Sequence, residues 1–223
     1  MQLALFDLDH TLLAGDSDYL WGRFLAEEGV VDGEAYEREN RRHYEAYQAG
    51  TLDIHAFLAF ALRPLAQLPR ERLEALRARF LRERILPLIP EASRRLLAEH
   101  RARGHRLLIL TATNRFVTAP IAAELGVADL LATEPEEVAG RFTGRVAGIP
   151  CFREGKLRRL EAWLAAQGQP LGPVLARAWF YSDSHNDLPL LERVAHPVAV
   201  DPDPRLAAVA RERGWPVRSL REG

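Results

Sequence analysis

Three short apolar runs, each ending abruptly in acidic and hydroxyl residues, constrain this chain more than any other feature. Leu3-Ala4-Leu5-Phe6 runs into Asp7, Asp9 and Thr11; residues 106–110 run into Thr111, Thr113 and Asn114; residues 178–182 run into Asp183, Asn186 and Asp187. Short apolar runs without a helical period read as buried strands. Between them lie segments of helical period, and strands alternating with helices require a parallel sheet covered on both faces. In such sheets ligands bind beyond the carboxyl ends of the strands. Each polar cluster alone could be a turn or a helix N-cap, but together they fall on one rim.

The remaining pattern fills in a Rossmann-like α/β core. Helices are expected over 91–102, 115–125, 157–167, 187–194 and 205–213, further strands at 130–132, 197–200 and near Val217, and a hairpin over 137–147 turning at Ala139-Gly140. Residues 16–85 differ: apolar residues recur at helical spacing with breaks at Gly29, Gly33, Gly50 and Pro69, which predicts four helices and no strand. The expected organisation is a core made of 1–15 and 86–223, interrupted by a helical unit at 16–85.

Composition narrows the function. Over 223 residues, 30 basic residues balance 31 acidic ones, so a bulk nucleic-acid binder is not expected. Cys151 is the only cysteine, which excludes an intrachain disulfide and any multi-thiolate metal site. No run of about 18 apolar residues suggests a membrane span, and the first residues lack a basic n-region, so a cytoplasmic location is expected. The P-loop pattern is missing. Among the basic residues only Lys156 is a lysine.

Asp7 and Asp9 alternate on one strand end, and Asp183 and Asp187 straddle the next helix start. Carboxylates crowded on one rim repel unless a hard cation lies among them, and oxygen ligands without a His/Cys set point to Mg²⁺. With one lysine beside them they suit a dianionic phosphate. Asp7-Leu8-Asp9-His10-Thr11, then Thr111, Lys156, and Asp183 with Asp187 resemble, in order, the four motifs of the haloacid dehalogenase superfamily. The helical insert resembles the cap of its phosphoserine-phosphatase-like branch.

The resemblance implies a phosphomonoester phosphatase. Asp7 is then the nucleophile, forming an aspartyl-phosphate, and Asp9 the general acid and base. Mg²⁺ is held by Asp7, the Asp9 backbone carbonyl and Asp183, with Asp187 placing a metal water or Lys156, and Asn186 beside it. The Thr111 hydroxyl and the Ala112 amide bind phosphoryl oxygens.

The chain departs from phosphoserine phosphatases in having Thr111-Ala112-Thr113 for Ser-Gly-Gly, and Ala59 is aligned with the cap arginine that receives the substrate carboxylate. Asp16 and Asp18, followed by Tyr19 and Trp21, instead suit a cationic group at the cap entrance. The expected substrate is a small amine-bearing phosphomonoester, with L-histidinol phosphate leading. Phosphoserine, and transfer to an acceptor other than water, stay open. A receiver-like signalling domain is the remote reading, and its motif order differs. His10 and His185 are expected as hydrogen-bonding neighbours, Cys151 as a buried hydrophobe, and Arg141, Arg145 and Arg153 within possible reach of substrate from loops.

Overall fold

A computed structural model describes residues 1–221. Strand β1 (Leu3–Phe6) is buried at every position, as a central strand covered on both faces must be. Five helical segments follow: α1 (Ser17–Glu27), α2 (Gly33–Ala49), α3 (Ile54–Ala61), α4 (Arg63–Gln67) and α5 (Arg70–Phe80), the last continuing through a wide turn to Ile85 and a tight one to Leu88. The third predicted helix is divided at Leu62, where Pro64 restarts the chain as α4. Asp16, Asp32 and Asp53 cap α1, α2 and α3, each accepting backbone N–H bonds from the first turn.

The chain then alternates through α6 (Glu91–Ala102), β2 (Arg106–Asn114), α7 (Arg115–Glu124), β3 (Asp129–Val138), β4 (Arg141–Ala147), α8 (Glu154–Ala165), α9 (Leu171–Leu175), β5 (Trp179–Ser182), α10 (Leu188–Leu191), β6 (His196–Val200), α11 (Pro204–Arg213) and β7 (Val217–Arg218). The sheet order is β4-β3-β2-β1-β5-β6-β7, parallel except for the antiparallel β3–β4 pair. The hairpin turns through Ala139 and Gly140, both at positive φ, as a two-residue turn of the right hand requires.

Alternate residues of each central strand feed two cores. Ala4, Phe6, Leu107 and Ile109 pack with α1, α5, α6 and α7, while Leu3, Leu5, Leu108, Leu110 and Phe180 pack with α8, α9, α10 and α11. β1 pairs with β2 on one side and β5 on the other, so the strand order reverses at β1, and a crevice opens beyond the ends of these three strands. Among the described residues no helix is long and apolar enough to cross a membrane.

Candidate active site

Asp7 follows β1 directly, its N–H bonded to the Tyr181 carbonyl of β5 at 2.9 Å. The next residues form one wide turn, closed by Leu13 N–H on the Leu8 carbonyl at 3.0 Å; His10 takes left-handed φ (53°) within it. The turn brings Asp9 to the mouth of the crevice and points Thr11 toward β5. The Thr11 hydroxyl donates to Asp183 Oδ1 and accepts the Asp183 N–H, both at 3.0 Å, which fixes the first and last acidic clusters to one another.

Lys156 arrives from the first turn of α8. Its Nζ lies 2.7 Å from Asp7 Oδ1 and 2.7 Å from Asp187 Oδ2, and Ser182 Oγ donates to the same Asp187 oxygen at 2.7 Å. Lys156 is 3% exposed, so its ammonium is desolvated and held by these two carboxylates. Burial opposes its charge, yet Asp187 and Asp7 hold its pKa above the ordinary lysine value. Asp187 is nonetheless pushed up to about 6 by burial, with Lys156 pulling the other way. Burial raises Asp7 as well, and raises Asp183 strongly, the latter helped by the charges of Asp7 and Asp187.

Asp9 is placed by the second cluster and by the helical insert. Thr113 Oγ1 donates to Asp9 Oδ2 at 2.8 Å, Thr111 Oγ1 reaches the same oxygen at 3.4 Å, and Ser17 N–H donates to Oδ1 at 2.6 Å. Burial, then the negative charge of Asp16, raises its pKa above the usual carboxylate range. In the sequence Thr113 is visible only as part of the strand-end cluster. Its partner Asp9 is 104 residues away, and no local spacing signals that contact.

These groups form the floor of a cavity roofed by the helical insert. Asp16 and Asp18 both line it. Asp16 also caps α1, with Oδ1 accepting from Asp18 N–H and Tyr19 N–H. Burial raises Asp18 well above the carboxylate range, and the charges of Asp16 and Asp9 push the same way. Ala112 and Asn186 also line the cavity, and Asn186 bonds outward, Nδ2 donating to the Tyr47 carbonyl at 3.3 Å.

Several expected neighbours lie elsewhere. Ala59 is on the exposed side of α3, outside the cavity lining. Trp21 is core, 5.1 Å from the Phe80 ring, because α1 turns that face onto α5 and away from the crevice. Arg145 pairs with Glu136 on the exposed hairpin, and Arg153 binds the Gly50 carbonyl at 2.6 Å. His10 does line the cavity, with Nε2 3.3 Å from Tyr44 Oη, whereas His185, its Nδ1 2.7 Å from Asp203, lies outside the lining. Cys151 is fully buried, its thiol donating to the Leu131 carbonyl, and burial pushes that thiol up to about 12.

The donor set suits Mg²⁺. Asp7 and Asp187 share a single buried ammonium and Asp183 is buried within reach of their charges, so carboxylates outnumber cations where solvent cannot screen them. Among the described residues no three acidic or imidazole side chains form a ready cage. Mg²⁺ typically uses only one or two carboxylates and keeps several waters.

A Rossmann-like sheet whose reversal point gathers four aspartates, a lysine and hydroxyls defines a phosphoryl-transfer site. The haloacid dehalogenase-like hydrolase family matches residues 4–192, and the chain belongs to that family. It is a phosphatase of that family. It is 42% identical over 220 residues to a histidinol-phosphatase of Neisseria meningitidis serogroup C, covering 98% of this chain and 99% of the relative. It is 33% identical to a phosphoserine phosphatase of Mycobacterium tuberculosis, covering 98% of this chain and 70% of that one. A crystal structure of a protein of unknown function from Bordetella pertussis Tohama I superposes with TM-score 0.92 at 45% identity, covering 98% of each chain. A phospho-aspartyl intermediate analogue of phosphoserine phosphatase shares the fold, with TM-score 0.71 at 20% identity over 99% of this chain and 93% of that one.

Proposed function

We propose that this phosphatase hydrolyses a small amine-bearing phosphomonoester, L-histidinol phosphate first among them, through a phosphorylated Asp7. Residues 16–85 act as a cap over the core made of 1–15 and 86–223. The observation that carries the substrate class is the charge of the cavity wall. Its lining contains no arginine and one lysine, Lys156, which is committed to Asp7 and Asp187, whereas Asp16 and Asp18 stand on the cap side. His10 and His43, also in the lining, are both biased toward the neutral form by burial. A substrate carboxylate finds no cationic partner there, whereas a substrate ammonium finds the Asp18 carboxyl, which burial and the charges of Asp16 and Asp9 bias toward its protonated form and which an incoming cation would help to ionise. The similarity to a protein named histidinol-phosphatase across nearly its whole length supports the same choice over phosphoserine.

In this mechanism Asp7 attacks phosphorus: an Asp7 oxygen–phosphorus bond forms as the ester oxygen–phosphorus bond breaks, and Asp9 gives its proton to the departing alkoxide. Water then attacks phosphorus, Asp9 takes back a proton, and Asp7 is released. The raised pKa of Asp9 suits it to carry that proton near neutrality. Lys156 orients Asp7, Asp187 orients Lys156, and Thr111 with the Ala112 amide receives phosphoryl oxygens. Mg²⁺, held by Asp7, the Asp9 carbonyl and Asp183, supplies charge neutralisation at the phosphoryl group when bound.

A phosphate-release assay over small phosphomonoesters tests this reading. L-Histidinol phosphate should exceed O-phosphoserine in kcat/KM, EDTA should abolish turnover and Mg²⁺ restore it, and Asp7→Asn should be inactive. Asp18→Asn should raise KM for the aminated ester. Turnover surviving in Asp7→Asn refutes the nucleophile, and phosphate appearing on an added alcohol in place of water would make the chain a phosphotransferase.

A further inference from the structure

Among the described residues, five buried side-chain polar atoms have no hydrogen-bond partner: Ser17 Oγ, Trp21 Nε1, His43 Nε2, Ser93 Oγ and Arg159 Nε. Of these five residues only His43 lines the cavity. Its ring is packed against Phe57 and Phe60, with centroids 5.4 and 5.2 Å away, and the nearest carboxylate oxygen, on Glu39, is 3.9 Å from Nε2, beyond hydrogen-bond range. Buried polar atoms are nearly always paired, so an orphan on a residue that lines a ligand cavity calls for a partner from the ligand.

The helix that carries His43 is built to present a row of groups to the cavity. Asn40, His43, Tyr44 and Tyr47 follow the spacing of one helical face, and all four line the cavity. Asn40 donates Nδ2 to the Tyr19 carbonyl at 3.0 Å, which fixes its amide and leaves its Oδ1 as an acceptor. Gly22 lets α2 come this close, since a Cβ there would lie 2.8 Å from Asn40 Nδ2 and 2.9 Å from the Tyr36 ring. The cavity lining also includes the apolar Leu52, Ile54 and Phe57, the last in contact with the His43 ring.

We infer that His43 and Asn40 form a subsite for a planar nitrogen heterocycle at the end of the substrate remote from its phosphate. The inference rests on the proposed amine-bearing phosphomonoester substrate and names what discriminates among such esters. A neutral azole ring carries one N–H donor and one nitrogen acceptor, so it complements His43 Nε2 in either tautomer. An aliphatic ammonium carries only donors and a full charge, which the Phe57 and Ile54 wall desolvates at a cost; that group belongs with Asp18. A flat ring can also lie along the Phe57 face.

The test compares L-histidinol phosphate, which has both ring and amine, with O-phosphoethanolamine, which has the amine alone, on wild type, His43→Phe and His43→Gln. Phe keeps the packing against Phe57 and Phe60 and removes the nitrogen; Gln retains a donor and an acceptor. The ratio of kcat/KM for the ring ester to that for the aliphatic ester should fall about tenfold in His43→Phe, through KM, and recover in part in His43→Gln. Unchanged circular dichroism and melting would establish that both variants are folded. A ratio unaltered in His43→Phe, or equal losses toward both esters, overturns the subsite while leaving the substrate reading intact. A wild-type enzyme with no preference for the ring ester overturns the subsite and the lead of L-histidinol phosphate, while the aminated class is then judged by the comparison with O-phosphoserine.

Discussion

Lys156 Nζ lies 2.7 Å from two carboxylate oxygens in a fully buried slot lined by Cys151 and Phe180. A compact ammonium can serve both, with a third donor left for a phosphoryl oxygen. A guanidinium is planar, larger, and forked to grip one carboxylate at two points, so it cannot take the same position without displacing Asp7. Lys156→Arg should therefore lower kcat by about 10²-fold or more, the scale of a misplacement near 1 Å at reacting atoms. The melting temperature should fall by about 2–12 °C, as overpacking of about 1–3 kcal/mol implies, with the fold kept. Near wild-type turnover in steady-state assays of this variant would contradict the orienting role. The residue is legible in the sequence alone, because a chain with 30 basic residues and a single lysine marks that lysine. Thr113 is less so: what sets its role is a bond to Asp9 across two strands, and distance in sequence carries no trace of it.

At the scale of elements, the pattern of apolar periods is enough where burial is two-sided. β1, β2 and β5 are plain in the sequence because each is nearly all apolar until its last residues, and the cap helices that begin at an Asp can be bounded to within a few residues. The long β3 is less legible. It reads as two pieces because its outer half, Glu134 to Val138, leaves the core and pairs only with β4, so its residues turn polar. The five-residue α9 is too short for a periodic signal, and α3 and α4 share one apolar face across Leu62. None of this indicates the contact between α6 and β5. There His100 is 2% exposed, Nε2 meeting Tyr181 Oη at 2.8 Å and Nδ1 meeting His105 Nδ1 at 2.7 Å. Burial, then the charges of His105 and Arg103, lowers its pKa to about 4. The unfolded chain takes up a proton there near pH 6.5 and the folded chain does not, so stability is whole above pH 6.5 and is lost as the pH falls toward 4. The loss is on the order of 2–3 kcal/mol. Chemical denaturation at pH 7.0 and pH 4.5 should show His100→Gln losing less stability than wild type over that interval. Equal losses would mean His100 titrates normally.

At the scale of the whole molecule, one polar contact between cap and core also touches the segments that carry Lys156 and Asp187. Gly50, ending α2 at φ 71°, offers its carbonyl to Arg153 Nη2 at 2.6 Å, and Arg153 Nε donates to Asn186 Oδ1 at 3.0 Å. Asn186 in turn donates to the Tyr47 carbonyl, which closes a ring of bonds between α2 and the two core segments that carry Lys156 and Asp187. Arg153 also begins the turn that starts α8, its carbonyl accepting from Lys156 N–H at 3.0 Å. Gly50 is favoured on two counts. Its left-handed backbone disfavours a side chain, and a Cβ would lie 2.5 Å from His185 Nε2 and 2.7 Å from Arg205 Nη1. Weakening this contact should therefore loosen the roof of the cavity before it disturbs the sheet. Arg153→Ala removes two of the bonds without adding bulk, and Gly50→Ala adds the bulk. Both should raise KM for the phosphomonoester roughly five- to tenfold, equivalent to about 1–1.4 kcal/mol of lost closure. They should also speed amide exchange at residues 47–51 while leaving β1, β2 and β5 protected. If KM and exchange stay at wild-type values in Arg153→Ala, the cap is held by its apolar contacts alone, and the ring of polar bonds contributes nothing to closing the site.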